Sequence, residues 1–312
     1  MQECSATKEI SDERQLQAEI RKQACSANTK SVVKGKECTL AGNASSGYGK
    51  HRLKSGAVFE GQWVDRKQDG DGTMIGADGG MYQGHWRAGK RHGEGSQTFA
   101  DGGLFEGSFK KNRMHGFGTY NFADGSSYSG SWVGGTKEGA GTHTFANGGS
   151  YKGQFYNNRL HGEGTKVWPD SSRYEGTWCY NQQQLKGSKY WPDGSHCEGQ
   201  WQDDRLHGDG EKTWADGKLF KGEWYNGLQQ GKGSLTFGTR KSSSAGWEWV
   251  DCGDIYEGTF DKGMPHGSGT VVHVETGEAE RIETSHDVIT SWPDRVSHTY
   301  NTENHLRHMR KT

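Results

Sequence analysis

The side chains with the widest chemical reach in this sequence recur at fixed intervals. His92, His115, His161, His207 and His266 each stand immediately before a Gly-x-Gly pair. A column of imidazoles has the right residue type for metal ligation or pH sensing. If each copy is a hairpin, however, equivalent positions lie about 10 Å apart, two strand spacings, which is too far for a shared ion. Asp69, Glu138, Gln184 and Gln230 also fill the same slot elsewhere, so the column reads as structural. Basic residues gather just ahead of it, in Lys90-Arg91-His92, Lys111-Asn112-Arg113, Asn158-Arg159-Leu160-His161 and Asp204-Arg205-Leu206-His207. Lys90, Arg91, Lys111, Arg113, Arg159 and Arg205 thus form a candidate strip for an acidic partner or anionic lipid. The plainer reading is that they are solvated hairpin tips, because Lys137-Glu138, Gln182-Gln183-Gln184 and Leu228-Gln229-Gln230 interrupt the strip. No GxxxxGK[ST] phosphate loop and no HExxH helix occurs. Ser, His and Asp form no arrangement that stands out from the repeat. A non-enzymatic chain without cofactor or metal is expected.

These positions are set by a repeat. The glycine of a Tyr-x-Gly-x-Trp pattern falls at Gly61, Gly84, Gly107, Gly130, Gly153, Gly176, Gly199 and Gly222, each step 23 residues. A ninth copy at Gly258 is displaced by a further 13 residues, and Gly47-Tyr48-Gly49 matches the second half of a truncated leading copy. A fixed period in this range marks a repeat array. Within one copy, Tyr82, Gly84 and Trp86 share one strand face at period two, and Gly93, Gly95, Gln97 and Phe99 continue the pattern on a second strand. Such glycine density rules out helix, at about 1 kcal/mol per site against alanine. Ala100-Asp101-Gly102-Gly103 supplies turn chemistry. A glycine flanked by aromatic side chains leaves room for a ring to lie on the backbone. The expected fold is all-β: an elongated single-sheet array of antiparallel hairpins with short non-repeat flanks, nine hairpins spanning roughly 85 Å.

Composition agrees. Mean hydropathy is −1.02 and only 29% of residues are hydrophobic, yet the net charge is −1, whereas disordered chains combine low hydrophobicity with high charge. Periodic aromatics supply the burial that aliphatics do not. No run approaches the roughly 18 apolar residues of a membrane span, and the near-neutral balance gives no case for nucleic acid. The first residues show neither an apolar signal core nor an acid-poor transit pattern. Cys4, Cys25, Cys38, Cys179, Cys197 and Cys252 have no CxxC or zinc-like spacing and read as reduced thiols of an intracellular protein.

The pattern Y-x-G-x-W-x-x-G-x-x-x-G-x-G-x-x-x-F-x-D-G, seen in YQGHWRAGKRHGEGSQTFADGG and YKGQFYNNRLHGEGTKVWPD, resembles the MORN (membrane occupation and recognition nexus) repeat. The resemblance spans residues 47 to about 270. It implies an elongated all-β array acting in protein assembly, often in cytoskeletal or ciliary structures, and lipid head-group binding has been proposed for the family. The implied protein is a cytoplasmic, cytoskeleton-associated scaffold of a cilium or flagellum, with a peripheral membrane module as the alternative. This sequence departs from the pattern at Leu185 (for glycine), at Cys197 (for an aromatic) and in the insertion before Ile255.

Three regions follow. Residues 1–46 form an N-terminal arm, with a short helix expected over Ser11 to Cys25 and a strand over Lys30 to Leu40. Residues 47–270 are the array, with an insertion at about 239–251. Residues 271–312 hold a capping hairpin around Thr276-Gly277 and a tail. The flanks, about 45 residues each, are below catalytic-domain size. Departures from the unit are where specific contacts are expected: Arg240, Lys241, Trp247 and Trp249 in the insertion, and Arg307, Arg310 and Lys311 in the tail, would meet other proteins of an assembly.

Overall fold

Seven- and nine-residue strands alternate along the chain, as the period-two patterning requires. The structure, a computed structural model, describes residues 46–238, 250–285 and 288–291, the last four by backbone alone. Among the described residues there is no helix. The strands, β1 (Gly47–Arg52) to β21 (Val288–Ser291), form one 21-stranded sheet. Each strand pairs antiparallel with its neighbours in sequence. The helix expected over Ser11 to Cys25 and the strand over Lys30 to Leu40 lie outside the described residues.

In the copy from Met81 to Gly103, β4 (Met81–Arg87) turns through Ala88 and Gly89 into β5 (Lys90–Thr98). Both turn residues have positive φ, 48° and 76°, the two-residue geometry whose twist matches that of the strands. Lys90-Arg91-His92 is therefore not the hairpin tip but the opening of β5. Residues tolerant of this conformation take the second turn position, and their side chains do further work. Asn112, Asn158, Asn181 and Asp204 each accept, through Oδ1, the backbone N–H of the second residue of the preceding long strand, at 2.8–2.9 Å. The other connection is the five-residue loop Phe99 to Gly103, closed by Phe99 N donating to Gly103 O (2.8 Å) and Gly103 N donating to Asp101 Oδ1 (2.9 Å).

The two glycines of each Gly-x-Gly pair serve different ends. The second joins a row that crosses the sheet: Gly49 faces Gly61, then Gly72, Gly84, Gly95, Gly107, Gly118 and Gly130. The row runs on through Gly141, Gly153, Gly164, Gly176, Gly187 and Gly199. It closes with Gly210, Gly222, Gly233, Gly258 and Gly269 and ends against Ile282, fully buried in the terminal hairpin of β19 (Met264–Val272) and β20 (Ala279–Ser285). An aromatic ring lies over each within-hairpin pair from Gly61/Gly72 onward except Gly199/Gly210, where Cys197 takes the ring position: a Cβ on Gly164 would sit 2.3 Å from the Tyr151 hydroxyl oxygen. The first glycine instead sits at a bulge where the long strand carries extra residues, with φ of 66° at Gly93 and 60° at Gly162. Leu185, at the equivalent position, holds the same left-handed conformation (φ 57°) and is 67% exposed. Copy six therefore keeps the register at the cost of a strained leucine, in β13 (Gln182–Tyr190).

Rings and indoles complete the inner face. Phe59, Tyr82, Phe105, Tyr128, Tyr151, Tyr174, Phe220 and Tyr256 are buried over the glycine row. From Phe59 to Phe220 each meets an aromatic of the next hairpin edge to face, as in Tyr82–Phe109 (5.0 Å) and Tyr174–Trp201 (5.2 Å). Indole N–H groups of Trp86, Trp132, Trp178, Trp201 and Trp224 donate to row carbonyls of the preceding strand at 2.9–3.1 Å. Cys197 breaks this ring series: it is a buried free thiol, and burial pushes it up to about 11. The insertion leaves the sheet intact. Phe237 N still donates to Asp254 O (2.9 Å), and β17 (Leu228–Thr236) pairs with β18 (Ile255–Asp261) in the usual register. Buried Asp254 anchors its exit, accepting from Asp251 N and Val274 N (both 3.0 Å) and lying 2.7 Å from His273 Nδ1.

Two substitutions separate the glycine roles. Leu185→Gly is expected to stabilise the array by about 1 kcal/mol by relieving the left-handed leucine. Gly164→Ala is expected to cost about 3 kcal/mol, because Tyr151 has nowhere to move. Urea-unfolding midpoints of the two variants against the parent chain check both.

Candidate functional site

Exposed basic residues fall on one edge of the sheet, beside the two-residue turns. Lys90, Arg113, Arg159 and Arg205 begin long strands, Lys111 lies in the turn before Arg113, and all five are exposed. Arg91 does not belong with them. It pairs with Trp86 across the hairpin and so turns to the aromatic face, its guanidinium 5.7 Å from the Tyr82 centroid and 5.6 Å from that of Phe109. Its Nη2 donates to Asn112 O (2.9 Å) and Nη1 to Gln97 Oε1. The turn is at Ala88-Gly89, so Arg91 is the second residue of β5 and alternation puts it on the face opposite Lys90. Of the histidine column, His161 packs between Tyr156 and Tyr180 (5.6 and 5.3 Å) and His207 against Tyr225 (5.0 Å). Arg240, Lys241, Trp247, Trp249, Arg307, Arg310 and Lys311 lie outside the described residues.

A second constellation lies on the aromatic face. Lys166, Lys189 and Lys212 occupy one repeat position on successive long strands and pair across the sheet with Tyr151, Tyr174, Cys197 and Phe220. Two residues on, where each long strand enters its loop, stand Trp168, Trp191 and Trp214. The result is a ladder of ammonium groups between indoles. Lys166 Nζ lies 5.0 Å from the Trp168 centroid, Lys189 5.1 and 5.3 Å from Trp168 and Trp191, and Lys212 5.3 and 5.0 Å from Trp191 and Trp214. Phe145 bounds one end, 5.8 Å from Lys166, and Lys218 the other, 5.0 Å from Trp214. Each such contact is worth about 0.5–2 kcal/mol according to desolvation. The three lysines are half-buried, and among the described residues none is ion-paired.

Lys166, Trp168, Lys189 and Trp191 wall an open groove of about 440 Å³, lined also by Asp170, Ser172, Trp178, Asn181, Gln183 and Asp204. Lys212 and Trp214 continue the ladder beyond it. The carboxylates of the groove are engaged within the fold. Asp170 accepts from Ser172 N (2.9 Å) and Ser172 Oγ (2.6 Å), which hold its carboxyl below the usual range, and Asp204 accepts from Gln183 N (2.8 Å). Gln183 is 2% exposed, and its Oε1 has no hydrogen-bond partner. Burial lowers the Lys166 ammonium, Asp204 opposes that shift and neighbouring Lys189 adds to it. The signal for this groove stood in the sequence as Lys166-Val-Trp168, Lys189-Tyr-Trp191 and Lys212-Thr-Trp214. It is masked because other copies place Gln97, Tyr120 or His143 in the lysine slot.

A one-sheet hairpin array with a ringed inner face defines a repeat protein of the binding kind. The sequence matches the MORN repeat over residues 59–81, 82–104, 105–127, 128–150, 151–173, 197–218, 220–240 and 256–272, and the chain belongs to this family. The match passes over residues 174–196, the copy that contains Leu185, although its strands β12 (Arg173–Cys179) and β13 pair as in every other copy. MORN repeats are protein-interaction or membrane-binding modules. No curated protein matches the sequence. Among solved structures, the TCP10 domain of Danio rerio CPAP in complex with a peptide of Danio rerio STIL is 10% identical, with 78% of this chain and 98% of that one covered at a TM-score of 0.39. The SAS-4 (dCPAP) TCP domain with a proline-rich motif of Ana2 (dSTIL) of Drosophila melanogaster is 14% identical, covering 55% and 87% at 0.28. At these scores neither likeness carries a functional inference.

Upstream of the groove, Lys137 and His143 share the aromatic face. Burial and then Lys137 hold His143 down to about 4, with Asp124 opposing, and Lys137 Nζ stands 3.4 Å from its Nδ1. The unfolded chain takes up a proton near the ordinary histidine value of 6.5, whereas the folded chain does so only near 4. Stability therefore falls as pH drops from 6.5 to 4. His143→Tyr, which copies Tyr120 one repeat earlier, is expected to remove about 1 kcal/mol of that loss, the half-exposed site being screened by solvent. Thermal melts of both chains across this window measure it.

Proposed function

We propose that this protein is a non-catalytic scaffold of a cytoskeletal assembly, foremost a ciliary axoneme, holding partner proteins along its repeat array. The observation that carries the reading is the aromatic face itself. Its buried rings repeat in register with the strands, so the array holds the variable positions beside them at a fixed spacing over many copies, which suits polymeric or multi-site partners. The insertion and the tail, with Arg240, Lys241, Trp247, Trp249, Arg307, Arg310 and Lys311, are proposed as further partner contacts, together with the N-terminal arm. Among the described residues no helix is long and apolar enough to cross a membrane.

A second reading, binding to anionic phospholipid, is favoured by the exposed edge of Lys90, Lys111, Arg113, Arg159 and Arg205. One pair of measurements decides between them. The full chain is expected to stay with the detergent-insoluble cytoskeleton of ciliated cells and to remain in the pellet when mixed with phosphatidylserine vesicles at about physiological salt. Flotation that is lost in the Arg113→Glu, Arg159→Glu, Arg205→Glu variant, combined with release by detergent, would overturn the scaffold in favour of the membrane module.

A further inference from the structure

We propose that the groove beside Lys166 and Lys189, extended by Lys212 on the next rung, is the docking site for an extended acidic segment of a partner protein, one carboxylate to each lysine. This deepens the scaffold reading and rests on it.

Three observations carry the assignment. The first is unpaired charge. Three ammonium groups are held in a row on ring faces. Asp204, Asp170 and Asp193 act on Lys166, Lys189 and Lys212 from a distance, but among the described residues no carboxylate reaches ion-pair distance, Asp170 being bonded to Ser172 and Asp204 to Gln183 N. Indole faces hold a cation in place but do not neutralise it, so the open side of each lysine is an anion site. The lowered Lys166 ammonium, with Lys189 adding to the shift, marks the same crowding.

The second is Gln183. Its Oε1 is buried at the groove with no hydrogen-bond partner among the described residues, an unmet acceptor worth about 1–3 kcal/mol that a turn of the side chain toward the groove offers to a donor. Sulfate offers no donor and hydrogen phosphate only its residual O–H. A polypeptide offers a backbone N–H at almost every residue, so the combination of acceptor and lysines selects a peptide over an inorganic anion.

The third is spacing. Successive lysines are one repeat apart, two strand spacings or about 9.6 Å. A polyproline II chain makes one turn in three residues of about 3.1 Å each, close to 9.3 Å. Carboxylates at every third residue of such a chain all face one way and match the lysines in step. A β-strand would turn alternate carboxylates away. Cys197 supports the fit: it pairs across the sheet with both Lys189 and Lys212, where other copies carry a ring, and the atoms nearest a Cβ at Gly199 are backbone rather than ring.

The test uses the full chain and a fluorescent peptide of three Glu-Pro-Pro triplets, read by anisotropy at about physiological salt. Binding is expected, with no binding of the Gln-Pro-Pro counterpart. Lys166→Gln, Lys189→Gln and Lys212→Gln are each expected to weaken it about tenfold. Lys90→Gln on the outer edge should leave it unchanged. Lys189→Glu paired with a peptide carrying Lys in its central triplet should restore binding, which a folding defect cannot do. Equal affinity for the parent and the triple Lys→Gln variant, or no binding at all, overturns the groove assignment. So does lysine-dependent capture of phosphatidylserine vesicles, which would identify the anion as lipid. Loss of the groove assignment leaves cytoskeletal retention intact, whereas loss of retention sinks the scaffold reading itself.

Discussion

Neighbouring backbones in this sheet carry a row of glycines that face one another from strand to strand, and a ring is laid over the pair in every hairpin but the one that carries Cys197. That contact governs the rest. With a Cβ at Gly95, 2.5 Å from the Tyr82 hydroxyl oxygen, the ring would have no floor, and with the ring displaced the edge-to-face chain to Phe109 would open. The tyrosine hydroxyl closes a further account: at Tyr82 it donates to His85 O, and at Tyr151 to Gln154 O, carbonyls three residues along the short strand. The indoles do the same for row carbonyls one strand back. A sheet with few aliphatics thereby satisfies its polar groups and buries aromatic area in one motif, which each copy can extend but no copy completes alone.

Because the ring row is fixed, the positions beside it are free to vary, and function follows from that freedom. The slot one strand from the rings holds Met74, Gln97, Tyr120 and His143 before it becomes lysine three times in succession. Its neighbours over the same stretch are indoles, at Trp168, Trp191 and Trp214, where earlier copies use phenylalanine. A lysine stem lies well along such rings and the ammonium gains from the larger π face. The scaffold thus repeats while its cargo surface is local. The array ends by exhausting the motif: Gly269 faces Ile282, a buried side chain where the row would call for another glycine.

Much of this was legible in the sequence. The 23-residue period, the two strands per copy, the shared face of Tyr82, Gly84 and Trp86, and the terminal hairpin around Gly277 all follow from spacing and from the absence of side chains at glycine. The family resemblance was equally plain from those positions. Less legible was the turn. Ala88 and Gly89 show no strong turn chemistry, so Lys90-Arg91-His92 read as a tip, and one misplaced boundary sent Arg91 to the wrong face.

What the sequence by itself determined is which positions repeat, since the chain period needs no knowledge of neighbours. What only the tertiary structure decided is what faces what. Gly93 and Gly95 look alike in the chain, yet one relieves a left-handed bulge and the other admits a ring, because the extra bulge residues are defined only by pairing with the opposite strand. Lys166, Lys189 and Lys212 are 23 residues apart in sequence and become one row of charge only when successive strands lie side by side. Their caging by indoles depends on contacts between different copies, which no single copy encodes.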